Sequence, residues 1–134
     1  MLKIAVLDDQ EVYLNKIEEI TKTAMIVQGI SYELLKYTRA EEFLYDLGED
    51  DKCDIYLIDV ELQTISGLEV ARKIREKYYD SVIIYVTNYV EYAVEGYEVN
   101  AYRYIPKKCW KKNYRKHLQQ SMAILKIERK TFIS

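Results

Sequence analysis

Two adjacent aspartates, Asp8 and Asp9, follow the apolar run from Leu2 to Leu7. A third, Asp59, follows the run from Ile55 to Ile58. A carboxylate at the end of a buried strand is costly unless something pairs with it. Thr87 and Lys107 each follow a further apolar run. If these ends lie side by side, the three carboxylates share one pocket, closed by a hydroxyl and an ammonium. Three carboxylates do not crowd together unpaired at neutral pH. A hard divalent cation answers them, and an oxygen-only site with room for water suits Mg2+. Magnesium admits a phosphoryl group, because it neutralises charge on the transferring oxygens; a lysine and a hydroxyl bind the rest. Asp59 then has the chemistry of a nucleophile that forms an acyl phosphate.

The elements that must position these groups alternate along the chain. Leu2 to Leu7, Ser31 to Tyr37, Ile55 to Ile58, Val82 to Val86 and Tyr102 to Ile105 read as short strands. Between them, Tyr13, Ile17, Ile20 and Ala24 recur at helical spacing. Thr38 and Glu41 form a capping-box pattern before a short helix running to Leu47. Ser66 and Glu69 repeat the pattern ahead of Leu68, Ala71, Ile74 and Arg75. Tyr89 to Tyr97 is a fourth helix, and a fifth starts near Trp110 with Tyr114, Leu118, Met122 and Leu125. Strands alternating with helices imply crossovers and a parallel sheet covered on both faces. The expectation is an α/β, doubly wound, five-stranded parallel sheet with five helices. In the flavodoxin-like order 2-1-3-4-5, ligands sit outside the carboxyl ends of strands one and three. Asp54, at the other end of the third strand, reads as a solvated strand start.

At these strand ends the chain resembles the receiver domains of response regulators in two-component signalling. "LDDQ" resembles the family's acidic pair, and "YLIDVEL" the strand that carries its phosphorylated aspartate, here Asp59. "SGLEVARKIRE" resembles the helix that follows, with Gly67 as the family glycine. "YVTN" and "YRYIPKK" supply Thr87, Tyr104 and Lys107. "EYAVEGYEVNAYRYIPK" is most similar to receivers of LytTR-type transcriptional regulators.

The resemblance implies that Asp8, Asp9, Asp59 and the Glu61 backbone carbonyl hold Mg2+. It implies that Thr87 and Lys107 bind the phosphoryl group and that Tyr104 is a switch aromatic. Each residue also has an ordinary reading. Asp8 or Asp9 can cap the first helix, Asp59 can be a turn residue, and Thr87 can simply end a strand. Lys107 can be a surface lysine, and Tyr104 one packing tyrosine among 14. The chain departs from the family in three places: Lys108 follows the lysine, with Pro106 before it; Gln63 stands in the loop after Asp59; and Asn88 follows Thr87. The first puts the family's cis peptide in question, because such bonds are essentially a proline phenomenon. Asn88 and Tyr89 are expected to narrow access to the site.

The chain has 134 residues, 49% hydrophobic and 31% charged, with a net charge of −2. That suits one globular domain and argues against direct nucleic-acid binding by this chain. No apolar run reaches membrane-spanning length, and Cys53 and Cys109 read as free thiols of a cytoplasmic protein, with a disulfide between them as the alternative. The domain is expected over residues 1–128, with 129–134 a tail or the start of a linker to an output domain outside the chain. The partners implied are a sensor histidine kinase and a second copy. Glu91, Glu95 and Glu98 would face Lys111 and Arg115 across a two-fold axis. The dimer would join the face of fourth helix, fifth strand and fifth helix on phosphorylation. Such a switch is not an enzyme on other substrates. The alternatives are a degenerate receiver that binds partners without phosphorylation, and an aspartyl-nucleophile phosphatase with Glu61 as the general acid. A nucleotide or flavin site fits worse, because no glycine-rich loop follows the first strand.

Overall fold

The structure, a computed structural model, describes residues 1–88, 103–107, 116 and 119–120. Five strands form one parallel sheet: β1 (Leu2–Leu7), β2 (Tyr32–Tyr37), β3 (Ile55–Ile58), β4 (Val82–Thr87) and β5 (Arg103–Pro106). Their order is β2-β1-β3-β4-β5, the flavodoxin-like order expected above. Three described helices connect them: α1 (Glu11–Gln28), α2 (Ala40–Gly48) and α3 (Gly67–Lys77). The expected fourth and fifth helices lie outside the described residues, apart from the isolated helical positions 116, 119 and 120. Among the described residues, no helix is long and apolar enough to cross a membrane.

The two-residue period of the strands divides the core. Ile4, Val6, Ile55, Leu57, Ile84 and Val86 face α1, where Leu14, Ile17, Ala24 and Met25 meet them. Ala5, Leu7, Tyr56, Ile58, Ile83 and Tyr85 face the other way, onto Phe43 and Leu47 of α2 and Leu68, Ala71 and Ile74 of α3. All four side chains of β3 are buried. Burial of one such side chain contributes about 1.5–3 kcal/mol. This strand is therefore fixed at the centre of the sheet.

Register sets the height of the strand ends. Leu7 pairs with Ile58, Ile58 with Tyr85, and Thr87 with Pro106. The Asp59 backbone N–H donates to the Leu7 carbonyl at 3.0 Å, so Asp8 and Asp59 emerge level and adjacent.

Three local readings change. The Thr38–Glu41 box does not form: α2 begins at Ala40, Arg39 occupies the N-cap, and no side chain caps it. Glu41 instead accepts the Thr64 hydroxyl at 2.5 Å. In the second box, Ser66 Oγ accepts the Leu68 N–H at 3.1 Å, whereas Glu69 pairs with Arg72. Asp54 is not simply solvated. It is half-buried, and its carboxylate accepts the Lys3 backbone N–H at 2.9 Å, tying the starts of β3 and β1 together.

Candidate functional site

The ends of β1, β3 and β5 deliver charged groups to a common point. Asp8 leaves β1 buried, and its Oδ1 accepts the Gln10 backbone N–H at 2.9 Å. That bond turns the chain into α1, whose N-cap is Gln10, so Asp8 orders the loop without capping the helix. Asp59 leaves β3 at 5% exposure. Its Oδ1 accepts the Glu61 N–H at 3.2 Å, and its Oδ2 accepts the Lys107 ammonium at 2.8 Å. Lys107 follows the edge strand β5, yet its side chain crosses to the centre of the sheet and is buried there. Its Nζ also lies 2.9 Å from Asp8 Oδ2, an ion pair without the alignment of a hydrogen bond. Gln10 Oε1 is 3.5 Å away, and the Tyr13 ring centroid 4.1 Å.

The loop after Asp59 is held by a close backbone approach. The Gly67 N–H donates to the Val60 carbonyl at 2.8 Å. A Cβ at Gly67 would sit 2.0 Å from the Asp59 carbonyl oxygen, inside any tolerable contact. Only glycine lets α3 begin against the residue that bears the central carboxylate.

The electrostatics follow from this crowding. Burial pushes the Asp8 carboxyl up to about 6, against the opposing pull of the Gln10 N–H and of Lys107. Asp9 is also raised, by burial first and by the Asp59 charge second. Burial alone would lower Lys107, but Asp59 and Asp8 outweigh it and hold the ammonium above its ordinary value. The three carboxylates can each bring an oxygen within 4.8 Å of the others. Asp9 and Asp59 border a cleft of about 480 Å³ lined also by Gln10, Glu61, Gln63, Asn88 and Lys107, among others. An all-oxygen donor set with space for water fits a hard cation such as Mg2+, which keeps several of its waters.

The structure thus brings together Asp8, Asp9, Asp59 and Lys107. The Glu61 side chain is exposed. Thr87 is fully buried as the last residue of β4, and the next residue, Asn88, reaches the cleft. Tyr104 is half-buried against the Tyr85 ring, with centroids 5.3 Å apart. Among the described residues no peptide bond is cis. Glu91, Glu95, Glu98, Lys111 and Arg115 lie outside the described residues, as do Tyr89 and Lys108. The sequence pattern assigns Gln10 no role and places Tyr13 only at helical spacing with Ile17, Ile20 and Ala24. Their signal is position, one and four residues after Asp9 at the head of a helix.

The model of the family described as "Response regulator receiver domain" matches residues 4–119. The chain is 31% identical over 107 residues to the transcriptional regulatory protein NatR of Bacillus subtilis, covering 80% of this chain and 44% of that protein. It is 25% identical over 109 residues to the sensory transduction protein LytT of the same organism, covering 80% and 42%. The chain thus spans less than half the length of these curated relatives, which accord with its LytTR-type resemblance. Among solved structures, the response regulator TrrA from Thermotoga maritima, in complex with Mg2+ and BeF, has a TM-score of 0.70 at 28% identity. That likeness covers 90% of this chain and 99% of TrrA. The matched span runs from within β1 to beyond β5 and takes in every element that positions the carboxylates; the chain belongs to the response regulator receiver domain family.

Proposed function

We propose that Asp59 is the phosphoacceptor of a signalling switch, charged by a sensor histidine kinase in the presence of Mg2+. The observation that carries this reading is the convergence of Asp8, Asp9 and Asp59 with the Lys107 ammonium 2.8 Å from Asp59 Oδ2. One Asp59 carboxylate oxygen attacks the phosphorus of a phosphohistidine. A P–O bond forms as the P–N bond breaks, and the imidazole keeps the electron pair. Asp8, Asp9, Asp59 and the Glu61 carbonyl would hold the cation, which when bound neutralises charge on the phosphoryl oxygens. Lys107 is already at Asp59 and needs little movement to pair with a phosphoryl oxygen. Thr87, from the neighbouring strand, would take another. Tyr104, packed on Tyr85 two residues before Thr87, would follow, remodelling the face of fourth helix, β5 and fifth helix. The phosphoryl group biases a two-state equilibrium through contacts made only in its presence.

The name of the transcriptional regulatory protein NatR, and the 44% of it that this chain spans, support an output in transcription. A DNA-binding domain outside this chain would carry it. A dimer pairing Glu91, Glu95 and Glu98 with Lys111 and Arg115 would transmit it. The phosphatase alternative is not favoured. It needs the Glu61 carboxyl as an acid at Asp59, whereas the exposed Glu61 meets that carboxylate through its backbone N–H.

The test is incubation with acetyl phosphate and Mg2+. One hydroxylamine-labile phosphoryl group per chain is expected by intact mass, absent without the cation and absent in Asp59→Asn. Undiminished label in Asp59→Asn refutes the assignment.

A further inference from the structure

Tyr13 has no part in the phosphoryl chemistry above, yet its ring covers one side of the Lys107 ammonium, with Nζ 4.1 Å from the centroid. The remaining neighbours of Nζ are Asp59 Oδ2 at 2.8 Å, Asp8 Oδ2 at 2.9 Å and Gln10 Oε1 at 3.5 Å. The lysine side chain is 3% exposed. A cation held over an aromatic face gains most where water is excluded, and this contact is of that kind. Gln10 and Tyr13 come from the head of α1, the element entered directly from Asp8 and Asp9.

Two of the three carboxylates that converge for a cation are the ones Lys107 already holds. Ammonium and divalent cation therefore compete for Asp8 and Asp59. A contact made only while Lys107 is docked on these groups stabilises the cation-free state. By linkage it weakens cation binding by the same factor.

We propose that Tyr13 is a positioning residue that seats Lys107 on Asp8 and Asp59 and thereby sets the affinity of the site for Mg2+. The proposal rests on the reading of the site as a cation-dependent phosphoryl acceptor. Tyr13 touches neither the cation nor the phosphoryl group in this scheme and acts only through Lys107.

The test compares the full chain with Tyr13→Leu and Tyr13→Phe by nuclear magnetic resonance. The protons on Cε of Lys107 report the ring directly, because an aromatic face shifts them upfield. The backbone amides of Asp9 and Glu61 report Mg2+ in a titration. Upfield Cε protons are expected in the wild type and in Tyr13→Phe, with Mg2+ dissociation constants within about twofold of each other. Tyr13→Leu is expected to lose the upfield shift and to bind Mg2+ about three- to thirtyfold more tightly, the range from an exposed to a desolvated cation–π contact. Pentafluorophenylalanine at position 13 keeps the ring's shape and reverses its quadrupole. It should therefore behave as Tyr13→Leu even if the leucine variant folds poorly. Unchanged or weaker Mg2+ binding in both altered proteins overturns the role of Tyr13. Wild-type protein that shows no Mg2+ response, with the Cε protons still shifted, overturns instead the reading of the site on which the role depends.

Discussion

Lys107 and Asp59 show how a buried charge is made tolerable. Isolated, either would cost several kcal/mol to bury. Together with Asp8 they neutralise one another in part, and burial still leaves the Asp8 carboxyl raised to about 6. Removing the ammonium strands two carboxylates side by side. Lys107→Met should therefore lose about 3 kcal/mol of stability in urea unfolding without metal. Added Mg2+ should restore part of that loss, because the ion takes the place of the missing charge; no response to Mg2+ would contradict this. Cys53 is the contrasting case. It is buried in the α2–α3 side of the core, and burial pushes its thiol up to about 12. At pH 8 it stays protonated. Native alkylation at Cys53, mapped by peptide mass, should be on the order of a thousandfold slower than in urea. Comparable rates in the two states would contradict its burial.

At the scale of elements, the decisive contact is the entry of α3 against the end of β3. Ser66 supplies a side-chain cap, of the kind worth about 1 kcal/mol, but Gly67 decides whether the helix can start there at all. In Gly67→Ala the methyl carbon would overlap the Asp59 carbonyl, so helix and loop must separate. A loss of about 2–3 kcal/mol is expected by thermal or urea unfolding. A slower gain of label from acetyl phosphate should accompany it, because Asp59 shifts with the loop. Full stability together with full labelling would show that α3 yields without disturbing the site. The helix α1 plays a matching part on the other side. Its apolar stripe fixes it to the sheet, and its first turn carries the aromatic face that Lys107 meets.

For the whole molecule, the order β2-β1-β3-β4-β5 places the site where the chain reverses its direction across the sheet. At such a point the connections leave in opposite directions and open a crevice. A site built from β1, β3 and β5 couples distant parts of the chain, as Lys107 and Asp59 show across 48 positions. The dimer proposed for the phosphorylated form draws on charges that lie beyond these strands. Lys111→Glu combined with Arg115→Glu places like charges opposite Glu91, Glu95 and Glu98. Sedimentation of the BeF-treated protein should shift from dimer to monomer. An unchanged dimer would place the interface elsewhere.

Much of this was legible in the residues themselves. The alternating apolar runs and their lengths define the strands and the parallel sheet, because each helix between them acts as a crossover; the strand order comes from the flavodoxin-like topology. The carboxylates and Lys107 were legible because charge at the end of a buried strand is rare and needs a reason. Thr38 misled because a cap depends on the residue at which the helix starts, and α2 starts one residue later than the pattern implies. Asp54 misled because the backbone N–H of Lys3, its partner, comes from a strand 51 positions away. Tyr13 and Gln10 were invisible for the same reason: their relation to Lys107 exists only when α1 and β5 are brought together over the sheet. The sequence by itself determined which groups stand at the strand ends. Only the tertiary structure decided which atoms meet there, because those meetings depend on register and on the approach of helices to the sheet, and neither is set by neighbours along the chain.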